Sequence, residues 1–151
     1  MVDLSGLDGR SLVSRRTFTV ERSHTTNVFG EQSDPPARPA AHDAAPDEPV
    51  RVLGSPALLG WVEFTGRDSL HGHLPDGTGT VGVDATLHHR GAAPLGTDLA
   101  VETELVDVDG SNLTFEGRVE RPDGSAVGEV TTTFRVVDRE RFRDSLPGTR
   151  G

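Results

Sequence analysis

From Ala57 to Phe64 the chain reads ALLGWVEF, apolar at nearly every position. A helix that is apolar around most of its circumference has to be buried. Ser55 and Pro56 stand just before it. Ser caps free helix N–H groups and Pro suits the first helical position, so the helix is expected to begin here, with Ser55 as its cap. Gly66 or Gly72 is expected to end it. This is the one strong helix signal in the sequence, and it contains the single Trp, Trp61.

Everything after it alternates. In 78–91, Val81, Val83, Ala85 and Leu87 fall on one face, with Gly82, Asp84, Thr86 and His88 on the other. Segments 98–110, 112–124 and 125–138 alternate too, and Asp109-Gly110 and Asp123-Gly124 are hairpin dipeptides. Residues 15–23 read as an earlier strand with Phe18 and Val20 in phase, and 138–145 as a turn or two of helix. The order is strand, long connection, buried helix, then a meander of four strands. One apolar helix and one sheet must hide their faces against each other, which predicts an α+β fold with an antiparallel sheet wrapped around a central helix. A sheet of four or five strands leaves an open edge. A two-fold dimer, joined edge to edge along the 80–90 strand, would cover it; a dimer of dimers is the next assembly up.

Residues 1–14 are expected to be a loose arm, 15–146 a single domain and 147–151 a tail. Within the domain, 30–49 carries five prolines and neither an aromatic nor a branched aliphatic residue. Such a segment cannot form a core and is expected to be a mobile loop, whether a lid or a plain insertion.

Composition removes several functions. With no Cys, a disulfide scaffold, a thiolate metal site and a Cys nucleophile are excluded. The net charge of -9 makes nucleic acid a poor partner. All fifteen basic residues are Arg, as a GC-rich genome or a salty, halophilic cytoplasm with an acidic protein surface would produce. No apolar run approaches the ~20 residues of a membrane span, and the first residues lack the order of a signal peptide. A cytoplasmic protein is the expectation.

Glu63 is the one charge inside the apolar helix. It can pair with Arg67 at i+4, or it can face a pocket beside Gly60 and act as base or acid. Ser55 lies eight residues earlier, hence ~80° away around the helix, so the two can flank one cleft. Alternation turns His89 toward the helix and His88 toward solvent. An inward His is either a hydrogen-bonded core residue or part of a site. His71 and His73 lack a third metal ligand in any known spacing, so no metal is expected. No Walker A, dinucleotide GxGxxG or GxSxG element occurs.

Four blocks, GSPALLGWVE (54–63), TVGVDATLHHRGAAPLG (80–96), VETELVDVDGSNLTFEGRV (101–119) and TTFRVVDRERF (132–142), resemble the hotdog-fold acyl-CoA thioesterases, in the branch of the fluoroacetyl-CoA thioesterases. The resemblance spans Val50 to Phe142. It implies a hotdog dimer with sites at the subunit interface. It also implies a triad of hydroxyl, carboxylate and imidazole, here Ser55, Glu63 and His89. Gly82 matches a backbone position lining the acyl pocket, and Arg135 an Arg near that pocket. Ser55 stands where the branch has Thr, which keeps the hydroxyl and loses the rotamer restriction. The branch has gating aromatic residues in the connection before the helix, and 30–49 has none, so fluoroacetate specificity is not implied. The expected activity is hydrolysis of an acyl-CoA to acid and CoA, with CoA as part of the substrate and no other cofactor. The alternative is a non-catalytic acyl-CoA or acyl-ligand binding module on the same fold. A hydratase reading would need a paired Asp and His on one loop-helix motif, which is not found.

Overall fold

A computed structural model describes residues 2–9, 11–28 and 51–148. The expected mobile loop at 30–49 lies outside these residues. Strand β1 (Val13–Thr19) comes first, followed by the short strands β2 (Thr25–Asn27) and β3 (Arg51–Leu53), which pair with each other. Helix α1 (Ser55–Ser69) follows, then β4 (Thr78–His89), β5 (Asp98–Asp109), β6 (Asn112–Glu120), β7 (Ala126–Asp138) and helix α2 (Arg139–Ser145). Five strands form one antiparallel sheet in the order β1-β5-β6-β7-β4.

Helix α1 lies on this sheet as the apolar run requires. Leu58, Trp61, Val62, Thr65 and Gly66 are its buried residues. Phe18 of β1 stacks on Trp61 with ring centroids 4.9 Å apart and planes 7° from parallel. The sheet makes room with glycine. A Cβ on Gly117 would fall 2.3 Å from Val62, and one on Gly128 would fall 2.5 Å from Leu58. Phe64, by contrast, is 53% exposed, so the helix is buried along one broad face rather than all round.

The meander is shorter than the alternation suggested. β5, β6 and β7 are sequential neighbours, but β4 pairs with β7 at the far edge and does not touch β5 in the sheet. The segment 90–97 is therefore a crossover. It must pass two intervening strands, about 14 Å at normal strand spacing, well within the reach of eight extended residues. Leu53 N–H donates to the Ala93 carbonyl at 2.8 Å and fixes the path midway. A short connection between alternating segments reads as a neighbour hairpin, and nothing local in 90–97 signals otherwise.

The segment before β1, expected as a loose arm, includes a 3-10 turn at Ser5–Leu7. Leu7 is buried in a second core lobe with Leu70, Leu105, Leu113, Phe115, Phe134 and Val136. At the β6–β7 turn, Gly124 takes φ +85°. Asp123 beside it accepts hydrogen bonds from the Ser125 hydroxyl and backbone N–H, which hold its carboxyl below the usual range. No helix among the described residues is long and apolar enough to cross a membrane.

Candidate active site

The start of α1 differs from its sequence reading. Gly54 is the N-cap, at φ -83° and ψ 150°, and no side chain caps the helix. Ser55 is instead the first helical residue, with Pro56 after it. Its hydroxyl, not committed to capping, meets the ring of His89: Oγ lies 2.8 Å from Nδ1.

His89 reaches Ser55 because of its register. It ends β4 opposite Gly128 of β7. Residues directly opposite in an antiparallel pair share a face, and Gly128 lies against Leu58 of α1. His89 therefore faces the helix, as alternation required. His88 is exposed on the outer face opposite Glu129.

A bulge between Gly82 and Asp84 corrects the rest of the β4 reading. Val83 is the extra residue, and an extra residue reverses the alternation on one side of it. Ala85, Leu87 and His89 keep the expected helix-facing side. Before the bulge the faces swap. Gly82 is opposite buried Phe134 and faces the helix, while Val81, opposite Arg135, faces away. Val83 itself is 45% exposed.

The swap puts Gly82 against Glu63. A Cβ at Gly82 would sit 3.1 Å from Oε2 of Glu63. Glu63 is half-buried and lines an open cleft of about 1210 Å³ between the second half of α1, the 70–77 connection and the start of β4. The Glu63–Arg67 ion pair does not form. No cation pairs with Glu63 among the described residues. Arg67 instead lays its guanidinium over Phe134, 5.8 Å from the ring centroid.

The candidate residues thus fall into two groups within one chain. Ser55–His89 is at the N-terminal end of α1, and Glu63–Gly82 is eight residues further along, about 12 Å up the helix axis. Arg135 joins neither. It is exposed on the outer face of β7, opposite Val81 and Asn112, and does not line this cleft. The alternation of β7 around Phe134 carries that information. Arg67 and Arg139 do line the cleft; in the sequence Arg67 reads only as the i+4 ion-pair partner of Glu63. His71 also lines it. Among the described residues no three His, Asp or Glu converge as metal ligands would.

Comparison with known proteins places this arrangement. Residues 38–140 match the fluoroacetyl-CoA-specific thioesterase family. A comparison with curated proteins finds no match. Among solved structures, a hot-dog-like protein from Thermanaerovibrio acidaminovorans superposes with a TM-score of 0.76 at 19% identity, over 99% of this chain and 98% of that one. A thioesterase superfamily member from Thermus thermophilus superposes at 0.70 with 14% identity, over 87% and 85% of the two chains. The fluoroacetyl-CoA thioesterase FlK superposes at 0.70 with 21% identity, over 89% and 95%. The neighbours bear out the antiparallel sheet on one central helix as a hotdog fold, and the family decides between hydrolase and non-catalytic module in favour of the hydrolase. The chain belongs to the fluoroacetyl-CoA-specific thioesterase family and is a hotdog-fold acyl-CoA thioesterase.

Proposed function

We propose that Glu63, His89 and Ser55 hydrolyse the thioester, and that each working site is assembled from two copies of the chain. The observation that carries this is the 2.8 Å contact between Ser55 Oγ and His89 Nδ1, made on the helix-facing side of an edge strand, with Glu63 on the same side and without a cation partner among the described residues. When the Ser55 hydroxyl donates to Nδ1, the proton of the neutral ring sits on Nε2. There it can donate to a thioester carbonyl or to the departing sulfur. Glu63 acts at the carbonyl carbon, as base toward water or as nucleophile. In the base route, Glu63 takes a proton from water as the water oxygen bonds to carbon. The tetrahedral oxyanion then collapses, the C–S bond breaks, and the CoA thiolate receives a proton. Free N–H groups in the first turn of α1 add positive potential near the oxyanion. Water and CoA complete the chemistry, with no metal or other cofactor in any step.

The two-copy arrangement follows from β4. Among the described residues it has a partner on one side only, and that edge invites pairing with a second copy. A two-fold axis near Thr86 pairs Ala85 with Leu87 of the other copy on the helix-facing side. Past the bulge, Gly82 then comes opposite the other copy's His89. Each Glu63 is thereby completed by a Ser55–His89 pair from the neighbouring copy. The acyl-CoA is the partner molecule and the second copy the protein partner.

Because the chain has no native Cys, Thr86→Cys supplies a single thiol. Paired residues across a two-fold strand contact are close enough for a disulfide. Oxidation is expected to give a covalent dimer that retains activity, seen on a non-reducing gel. Sedimentation of the unmodified protein as an active monomer at micromolar concentration would contradict the arrangement.

A further inference from the structure

Arg67 follows Glu63 by one helical turn, in the order that favours an ion pair. Yet no carboxylate pairs with its guanidinium among the described residues. It rests over Phe134, a fully buried residue whose strand partner is Gly82, the glycine against Glu63. Glu63 and Arg67 thus front the same cleft of about 1210 Å³. Of the other acids lining it, Asp68 is tied to Arg16 at 2.7 Å, and Asp76 belongs to the 70–77 connection. Arg139 enters the cleft as well, donating from Nη2 to the Thr78 carbonyl at 3.2 Å. In a chain of net charge -9, an exposed Arg with no acid partner among the described residues, set on an aromatic surface at the wall of an open cleft, is matched to an external anion. A planar guanidinium binds a carboxylate through two parallel N–H···O bonds.

We infer that the acyl group this thioesterase accepts carries a second carboxylate, bound by Arg67. The substrate class is the CoA monothioesters of dicarboxylic acids. The inference rests on Glu63 being the group that faces the thioester carbonyl. Side chains at i and i+4 have Cβ atoms about 5–6 Å apart, so an anion on Arg67 lies only a few bonds from a carbonyl on Glu63. The CoA phosphates are separated from the thioester by the whole pantetheine arm, which puts them beyond that distance. The cation also offsets the repulsion between the Glu63 carboxylate and an anionic acyl group.

The test uses the carba analogues of succinyl-CoA and butyryl-CoA, in which CH2 replaces the thioester sulfur, titrated calorimetrically into the intact protein. The two acyl chains have the same number of carbons and differ in the terminal carboxylate. The unmodified protein is expected to bind the succinyl analogue about 10–100-fold more tightly, the range for hydrogen bonds to a charged group. Arg67→Met should abolish the difference and leave butyryl affinity unchanged, while Arg67→Lys retains part of it. Equal affinities in the unmodified protein would overturn the inference. So would an Arg67→Met variant that weakens both analogues and free CoA alike, because the Arg would then serve the CoA phosphates. Binding needs no turnover, so the same titration in Glu63→Gln separates the two readings. Selectivity that survives there supports the role of Arg67 whatever the hydrolysis assay returns. Lost hydrolysis without succinyl selectivity overturns the Arg67 inference and leaves the catalytic role of Glu63 standing.

Discussion

Replacing Glu63 by Gln is expected to lower acyl-CoA hydrolysis by about 10²–10⁴-fold, the range for a positioned acid or base. Gln keeps the shape of the side chain and removes its charge and basicity. The fold should not notice. Glu63 has no ion-pair partner among the described residues, so stability should stay within about 0.5 kcal/mol, as for most substitutions away from buried networks. Steady-state kinetics across short, branched, aromatic and dicarboxylic acyl-CoAs, read beside thermal melts, provide the check. Full hydrolytic activity in Glu63→Gln would remove Glu63 from the mechanism.

The second large effect separates the adjacent histidines. His89→Ala deletes the ring that Ser55 contacts at 2.8 Å, and is expected to reduce the rate about 10²–10⁴-fold through lost hydrogen bonding and proton transfer. His88→Ala changes an exposed residue on the opposite face of the same strand. It should alter rate little and stability by no more than about 0.5 kcal/mol. The same assays measure both. Equal losses would mean that the ring facing α1 has no special part in the chemistry.

The sequence was most legible where one simple period ruled. The apolar run at 57–64 announced a buried helix, and four alternating segments announced strands, three of them within two residues of both ends and the 112–124 segment four residues too long at its Asp-Gly turn. The inward placement of His89 followed from period two alone, because no irregularity lies between Ala85 and His89. Legibility failed wherever a single residue broke the period. Val83 reads as one more inward β-branched residue, yet as the bulge it moved Gly82 to the helix side, against Glu63. Period two cannot register an insertion, and only pairing with β7 reveals it. Ser55 carried a capping signal, but Gly54 with extended dihedrals took the cap, and the hydroxyl went to His89, distant in sequence. The position of β4 beside β7 was hidden for the same reason: strand order is set by long-range pairing that no local pattern encodes. The family resemblance, not the periodicity, is what picked Ser55, Glu63 and His89 together.

The separation of Glu63 from the Ser55–His89 pair along one helix leads to the most direct test of the two-copy site. Glu63→Gln and His89→Ala proteins are each purified, mixed, and allowed to exchange subunits. In a mixed dimer with shared sites, one site carries both lesions, and the other combines an intact Glu63 from one copy with an intact His89 from its partner. Random exchange is then expected to restore about a quarter of unmodified activity from two nearly inactive proteins, given closed two-fold symmetry. If exchange is verified by mass and activity remains at the level of the separate variants, each site belongs to a single chain and the two-copy mechanism is wrong.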